Sequence, residues 1–203
     1  LAAAACAAVL STTATFTSGV RALMAEVGLV SNDGFIMGGT GNPVPDSNYL
    51  SSVESLYLSQ YLPPNNDFSY SGLTTPEQFC PIVCNASQPD LTFGESLNAG
   101  VGDLDGTIVP VLQQGGNDVS VLGYSQSAVI ASIEMNNLIN DTPAGVNLSD
   151  LNFTLLGDPN SPIGGILDRF QFPDGVGQFS LTPEPQHVPF LDIPLNLENT
   201  PTD

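Results

Sequence analysis

The residues with the clearest chemical potential are Gly123-Tyr124-Ser125-Gln126-Ser127. Val119, Val121 and Leu122 precede them, apolar and β-branched or bulky, as a buried strand requires. From Ala128 to Met135 the chain runs without Gly or Pro and reads as a helix. A serine on a sharp strand-to-helix turn is a nucleophile elbow. Its hydroxyl is held in a strained backbone conformation that needs small neighbours. Gly123 is one of them, and Ser127 stands where a second glycine is usual. The helix N-terminus then turns amide N–H groups and a positive dipole end toward any oxyanion that develops beside Ser125. Such an arrangement suits attack on an acyl carbonyl. A GxSxS pentapeptide alone arises by chance; the apolar strand before it and the Ala-rich helix after it give it weight.

The second informative stretch is Gly34-Phe35-Ile36-Met37-Gly38-Gly39-Thr40-Gly41. Phe35, Ile36 and Met37 read as a short buried strand that runs directly into a glycine loop. In α/β-hydrolases a loop at this place supplies the second oxyanion donor. A phosphate-binding P-loop is excluded because the chain has no lysine, and no GxGxxG spacing is present for a dinucleotide. The bland alternative is an ordinary turn.

The remaining elements must position these two loops. Leu50, Val53, Leu56, Tyr57 and Tyr61 recur at helical spacing, which predicts an amphipathic helix over Tyr49 to Tyr61. Ser69 to Cys84 reads as irregular with turns, and Thr75-Pro76-Glu77-Gln78 offers a helix start. Leu97, Val101, Leu104, Ile108, Val109 and Leu112 predict a long helix over Leu91 to Gln114, stopped by Gly115-Gly116. Asn152 to Gly157 reads as a further buried strand. From Gln171 onward the chain is rich in Pro, Phe and Leu without clear periodicity, and reads as a lid or wall over the site. Strands alternating with helices argue for a parallel sheet with helices on both faces.

The bulk properties bound the function. The 203 residues suit one domain with a sizeable core, and 41% hydrophobic content argues against a disordered chain. A net charge of -19, from 21 acids against only Arg21 and Arg169, makes nucleic acid a poor partner and disfavours docking on anionic lipid through a basic patch. Yet only 11% of residues are charged, which suits an exported protein with an Asn-, Ser- and Thr-rich surface. Cys80 and Cys84 are close enough for a disulfide if the chain turns at Pro81, whereas zinc lacks ligands, because His187 is the sole histidine. Cys6 reads as unpaired. Residues 1–30 read as an apolar leader remnant and linker; Leu1 to Leu10 resembles the end of a signal-peptide apolar region or an anchor helix, too short to span a bilayer as given.

Several stretches together resemble the PE-PPE domain of mycobacteria and relatives: Ile36-Met37-Gly38-Gly39-Thr40-Gly41, Thr75-Pro76-Glu77-Gln78-Phe79, Gly123-Tyr124-Ser125-Gln126-Ser127-Ala128, and Leu156-Gly157-Asp158-Pro159-Asn160 with Gly164-Gly165-Ile166-Leu167. The resemblance implies a cutinase-like serine α/β-hydrolase fold over 31–203, with the C-terminal part of the fold missing. It implies hydrolysis or transfer of acyl groups on lipid-like esters or glycolipids, outside the cytoplasm or at the cell envelope, with the apolar leader available for membrane association. By the same match Ser125 is the nucleophile, and the backbone N–H of Gln126 with one from the Gly39-Thr40 loop forms the oxyanion hole. No cofactor or metal is implied. Asp158 and His187 follow Ser125 in the chain order that the triad demands. The family's acid and histidine, however, belong to later Asp-Gly and His-Gly motifs. On that reading Asp158 shapes the site, His187 belongs to the wall segment, and the chain as given is a poor catalyst, because a serine without a base is barely nucleophilic. A medium or long acyl chain is expected to lie along Phe170, Phe172, Phe179 and Phe190. The rival reading is a catalytically inactive envelope binding module on the same fold.

Overall fold

The computed structural model describes residues 32–59, 68–161, 165–167, 186–188 and 193–195. The expected apolar leader, Cys6, and the phenylalanines of the proposed wall lie outside them. Four parallel strands form the central sheet: β1 (Asn32–Ile36), β2 (Phe68–Gly72), β3 (Val119–Tyr124) and β4 (Leu151–Leu156), in the order β2-β1-β3-β4. Three helices accompany them: α1 (Ser47–Val53), continued by a π turn over Glu54–Leu58; α2 (Phe93–Gln114); and α3 (Gln126–Asn140). Two short strands, β5 (Gln186–Val188) and β6 (Ile193–Leu195), pair antiparallel as a separate ribbon.

The sheet alternates its side chains between two cores, as the period of a strand dictates. Val119 and Val121 of β3 pack with Leu97, Leu104, Ile108 and Leu112 of α2 and with Val129 and Ile130 of α3. Leu122 and Ile36 point the other way, onto Val53 and Leu58. Both faces are therefore covered, which lets β3 be buried over nearly its whole length. This is the expected parallel α/β architecture.

α2 begins with a capping box. The Glu95 N–H donates to Thr92 Oγ1 at 3.3 Å, and the Thr92 N–H donates to Glu95 Oε2 at 2.9 Å. It ends on Gly115 at a φ of 69°. The predicted helix over Tyr49 to Tyr61 starts earlier, at Ser47, because Asp46 Oδ1 accepts the Tyr49 N–H at 2.8 Å.

Two expectations between Ser69 and Cys84 are corrected. Phe68–Gly72 is a strand, not an irregular segment. Its pairing partner is remote in sequence, with Phe35 opposite Ser71, and the Tyr70 ring lies over Gly34. Thr75–Gln78 does not start a helix. Glu77 has a φ of 49°, in the left-handed region that an α-helix cannot use.

Glu134 of α3 is buried, and the Asp105 carboxylate faces it from α2. Burial pushes its carboxyl up to about 7, with the Asn137 hydrogen bond opposing and Asp105 adding to the rise. Because the folded pKa exceeds the unfolded one, this group's stabilisation is full below about pH 4.5 and is lost as pH rises through about 7. Thermal midpoints should accordingly fall from pH 5 to pH 7.5, and Glu134→Gln should flatten that slope; equal slopes in the two proteins would remove Glu134 as its source.

Candidate active site

The parallel register brings two loops to one edge of the sheet. Ile36 of β1 sits opposite Leu122 of β3, and the Met37 N–H extends the ladder to Leu122 O at 2.9 Å. Gly39 and Ser125 each lie three residues beyond that pair, at the C-terminal ends of adjacent strands. This is the edge where open parallel sheets present ligand-binding loops.

Ser125 is the N-cap of α3, with φ 57° and ψ -113°. A non-glycine residue there costs on the order of 1–3 kcal/mol and persists only where the surroundings impose it. They do so here. The Ser125 N–H donates to Leu156 O of β4 at 2.9 Å, while its carbonyl accepts from Ala128 N–H at 3.0 Å and Val129 N–H at 3.3 Å. Gly123 lies against the Ser127 carbonyl so closely that no side chain fits between them. Ser127 replaces the second small residue differently: its hydroxyl accepts the Tyr124 N–H at 2.8 Å and donates to Tyr124 O at 3.1 Å.

Gly39 packs directly on the elbow. A Cβ at that position would come within 3.0 Å of the Tyr124 ring and 3.3 Å of Ser125 Cβ. Among the described residues, no hydrogen bond uses the backbone N–H of Gly39, Thr40 or Gln126. The Gly39 backbone and the first turn of α3 thus meet at Ser125.

A buried polar network fixes the loop to the elbow. Thr40 Oγ1 donates to Gln126 Oε1 at 2.7 Å, and Gln126 Nε2 donates to both Gln78 O and Ser96 Oγ, each at 2.9 Å. The Gln78 N–H also reaches Ser96 Oγ, at 3.0 Å. Gln78 is a hub: its Oε1 accepts from Asn85 N–H at 3.4 Å and Leu91 N–H at 3.3 Å, and its Nε2 donates to Pro89 O at 3.1 Å. Sequence reasoning placed Gln126 for its backbone amide and missed Gln78 and Ser96 as the partners of its side chain. The available signal was a serine on the apolar face of α2, between Phe93 and Leu97.

Cys80 and Cys84 form a disulfide with a Cα–Cα distance of 5.0 Å, as the spacing suggested. With Asp90 they offer ligand atoms close enough together for a metal, but the bridge has consumed both thiols. A cavity of about 320 Å³ borders this loop, lined by Gly41, Pro43, Glu77, Gln78, Val83 and Cys84 among others. Asp158 Oδ1 accepts the Asn160 N–H at 2.9 Å and shapes the turn after β4. His187 is in β5, but its side chain lies outside what the structure describes.

A model of the PE-PPE domain family matches residues 66–194. The chain belongs to the PE-PPE domain family. Related PE-PPE proteins of Mycobacterium tuberculosis include Esterase PE16, 42% identical over 147 residues, which covers 71% of this chain and 26% of that protein. PE family protein PE3 of the same species is 36% identical over 162 residues, covering 79% and 30% respectively. The uncharacterised PPE28 is 36% identical over 168 residues, covering 80% and 24%. This PE-PPE chain therefore spans about a quarter to a third of the length of the relatives it matches. Lysin B from Mycobacteriophage D29 is a structural neighbour, with a TM-score of 0.45 at 19% identity over 71% of this PE-PPE chain and 51% of that one.

Proposed function

We propose that this PE-PPE domain is a serine esterase module that hydrolyses acyl esters of lipid-like molecules or transfers their acyl group to a hydroxyl acceptor. The observation that carries the reading is the strained Ser125 with the Gly39 backbone packed on its Cβ. Ser125 Oγ attacks the ester carbonyl. The carbonyl oxygen becomes an oxyanion held by the N–H of Gln126 and one from Gly39 or Thr40. The alcohol leaves, and water or a second hydroxyl takes the acyl group from Ser125. The base that accepts the Ser125 proton comes from outside the described residues.

The name of Esterase PE16, a relative at 42% identity, supports the reaction class. The Cys80–Cys84 bridge and the scarcity of charged residues support work in an oxidising, extracytoplasmic compartment at the cell envelope. Among the described residues, no helix is long and apolar enough to cross a membrane.

A fluorophosphonate probe tests the proposal. The full chain should be labelled on the peptide carrying Ser125, and labelling should compete with long-chain acyl esters. A folded protein that takes no label would overturn the esterase reading and leave the inactive binding module in its place.

A further inference from the structure

Glu77 stands out on three counts. It is 1% exposed, yet Oε2 of its carboxyl has no hydrogen-bond partner; only Oε1 is engaged, accepting from Thr75 Oγ1 at 2.7 Å. Its backbone sits at a φ of 49°, a conformation a side-chain-bearing residue holds only under constraint. Its carbonyl accepts the Gly41 N–H at 2.8 Å, so the strained residue grips the end of the loop that carries Gly39 and Thr40. Thr75 is anchored in turn, its N–H reaching Pro43 O at 3.2 Å. The loop is thus held on one side by Gln126 and on the other by Glu77.

We propose that Glu77 is a positioning residue for the oxyanion loop, acting as an uncharged buried acid whose ionisation releases the loop. The inference rests on the esterase reading for its catalytic consequence but not for its structural one. Among the described residues there is no lysine or arginine to pair with a Glu77 carboxylate. The titratable group facing it is Tyr49 of α1, whose hydroxyl donates to Met37 O at 3.4 Å just ahead of the loop; Tyr124 of the elbow faces Tyr49 in turn. Burial, Tyr124 and Glu77, in that order, raise Tyr49 above its ordinary value, so it stays neutral where Glu77 titrates. Cys80 and Cys84, on the neighbouring loop, are bridged and do not titrate. A charged carboxylate in this pocket would be unpaired, and the segment relieves it by moving toward water. That movement withdraws the Glu77 carbonyl from Gly41. Burial pushes the carboxyl up to about 8, with the Thr75 hydrogen bond opposing, which places the release on the alkaline side of neutrality.

The test follows the Gly41 amide by hydrogen exchange, as a protection factor, in the full chain and in Glu77→Gln. Between about pH 6 and pH 9 the wild type should lose roughly tenfold in protection, while the variant, which cannot ionise, should stay within about twofold. In parallel, kcat for a short-chain ester should fall along the same curve in the wild type. Glu77→Ala should lower kcat by about tenfold at every pH with KM little changed, and Glu77→Gln should restore it and remove the alkaline limb. Equal pH profiles of Gly41 protection in wild type and Glu77→Gln would overturn the proposal. A wild-type protein inert toward every ester would defeat the esterase reading instead, and the exchange measurement would still decide the role of Glu77.

Discussion

Ser125→Ala should lower kcat/KM for a p-nitrophenyl ester by about 10³-fold or more, because no other described group takes its place as nucleophile. The loss should appear in kcat. The amide donors of Gly39, Thr40 and Gln126 are backbone groups and survive the substitution, so substrate should still bind. Nor should the fold suffer: alanine and serine bear nearly the same backbone penalty at φ 57°, so thermal midpoints should agree within about 2 °C. Progress curves for purified wild type and variant, with midpoints measured alongside, make the check. A variant that keeps a tenth or more of the activity (about 1.4 kcal/mol of barrier) would show that the reaction runs elsewhere.

Gly123→Ala should have the largest effect on stability. The added methyl would meet the carbonyl carbon and oxygen of Ser127 and the Ala128 nitrogen, all of them backbone. A flexible side chain could swing aside, but the first turn of α3 can move only by breaking the bonds from Ala128 and Val129 to Ser125 O. Overpacking of this kind costs about 3 kcal/mol, which for a chain of this size is roughly 10 °C in thermal midpoint. Fluorophosphonate labelling should fall with it, because relief of the clash displaces Ser125. A midpoint within 2 °C of wild type would mean that the elbow is softer than its packing implies.

The parts that were legible in the sequence are those whose cause is local. β3 and α3 announce themselves through Val119, Val121 and Leu122 on one side of the turn and a Gly- and Pro-free run on the other. α2 shows its apolar face at Leu97, Leu104, Ile108 and Leu112, and its stop at Gly115. The parts that were not legible have remote causes. Phe68-Ser69-Tyr70-Ser71-Gly72 has no continuous apolar run, and its aromatic–serine alternation is too short to stand out, although Tyr70 packs against the smaller core; it becomes a strand because β1 offers it a free edge. Thr-Pro-Glu-Gln matches the start of a helix, but Glu77 is held in the left-handed region by contacts to Gly41 and Thr75, residues that local propensity does not weigh. The polar network around Gln126 draws on positions 40, 78 and 96, and only the folded chain shows that they meet.

The Ser127 ring with the Tyr124 backbone bears on how such turns are sought in other chains. The two flanking positions of the elbow are not under the same restriction: Gly123 has no space for any substituent, whereas position 127 accommodates a hydroxymethyl group that ties back to the preceding peptide unit. A search pattern demanding glycine at both places therefore imposes a symmetry that this backbone lacks, and it would pass over chains in which the second position has been taken by a small residue that braces the corner.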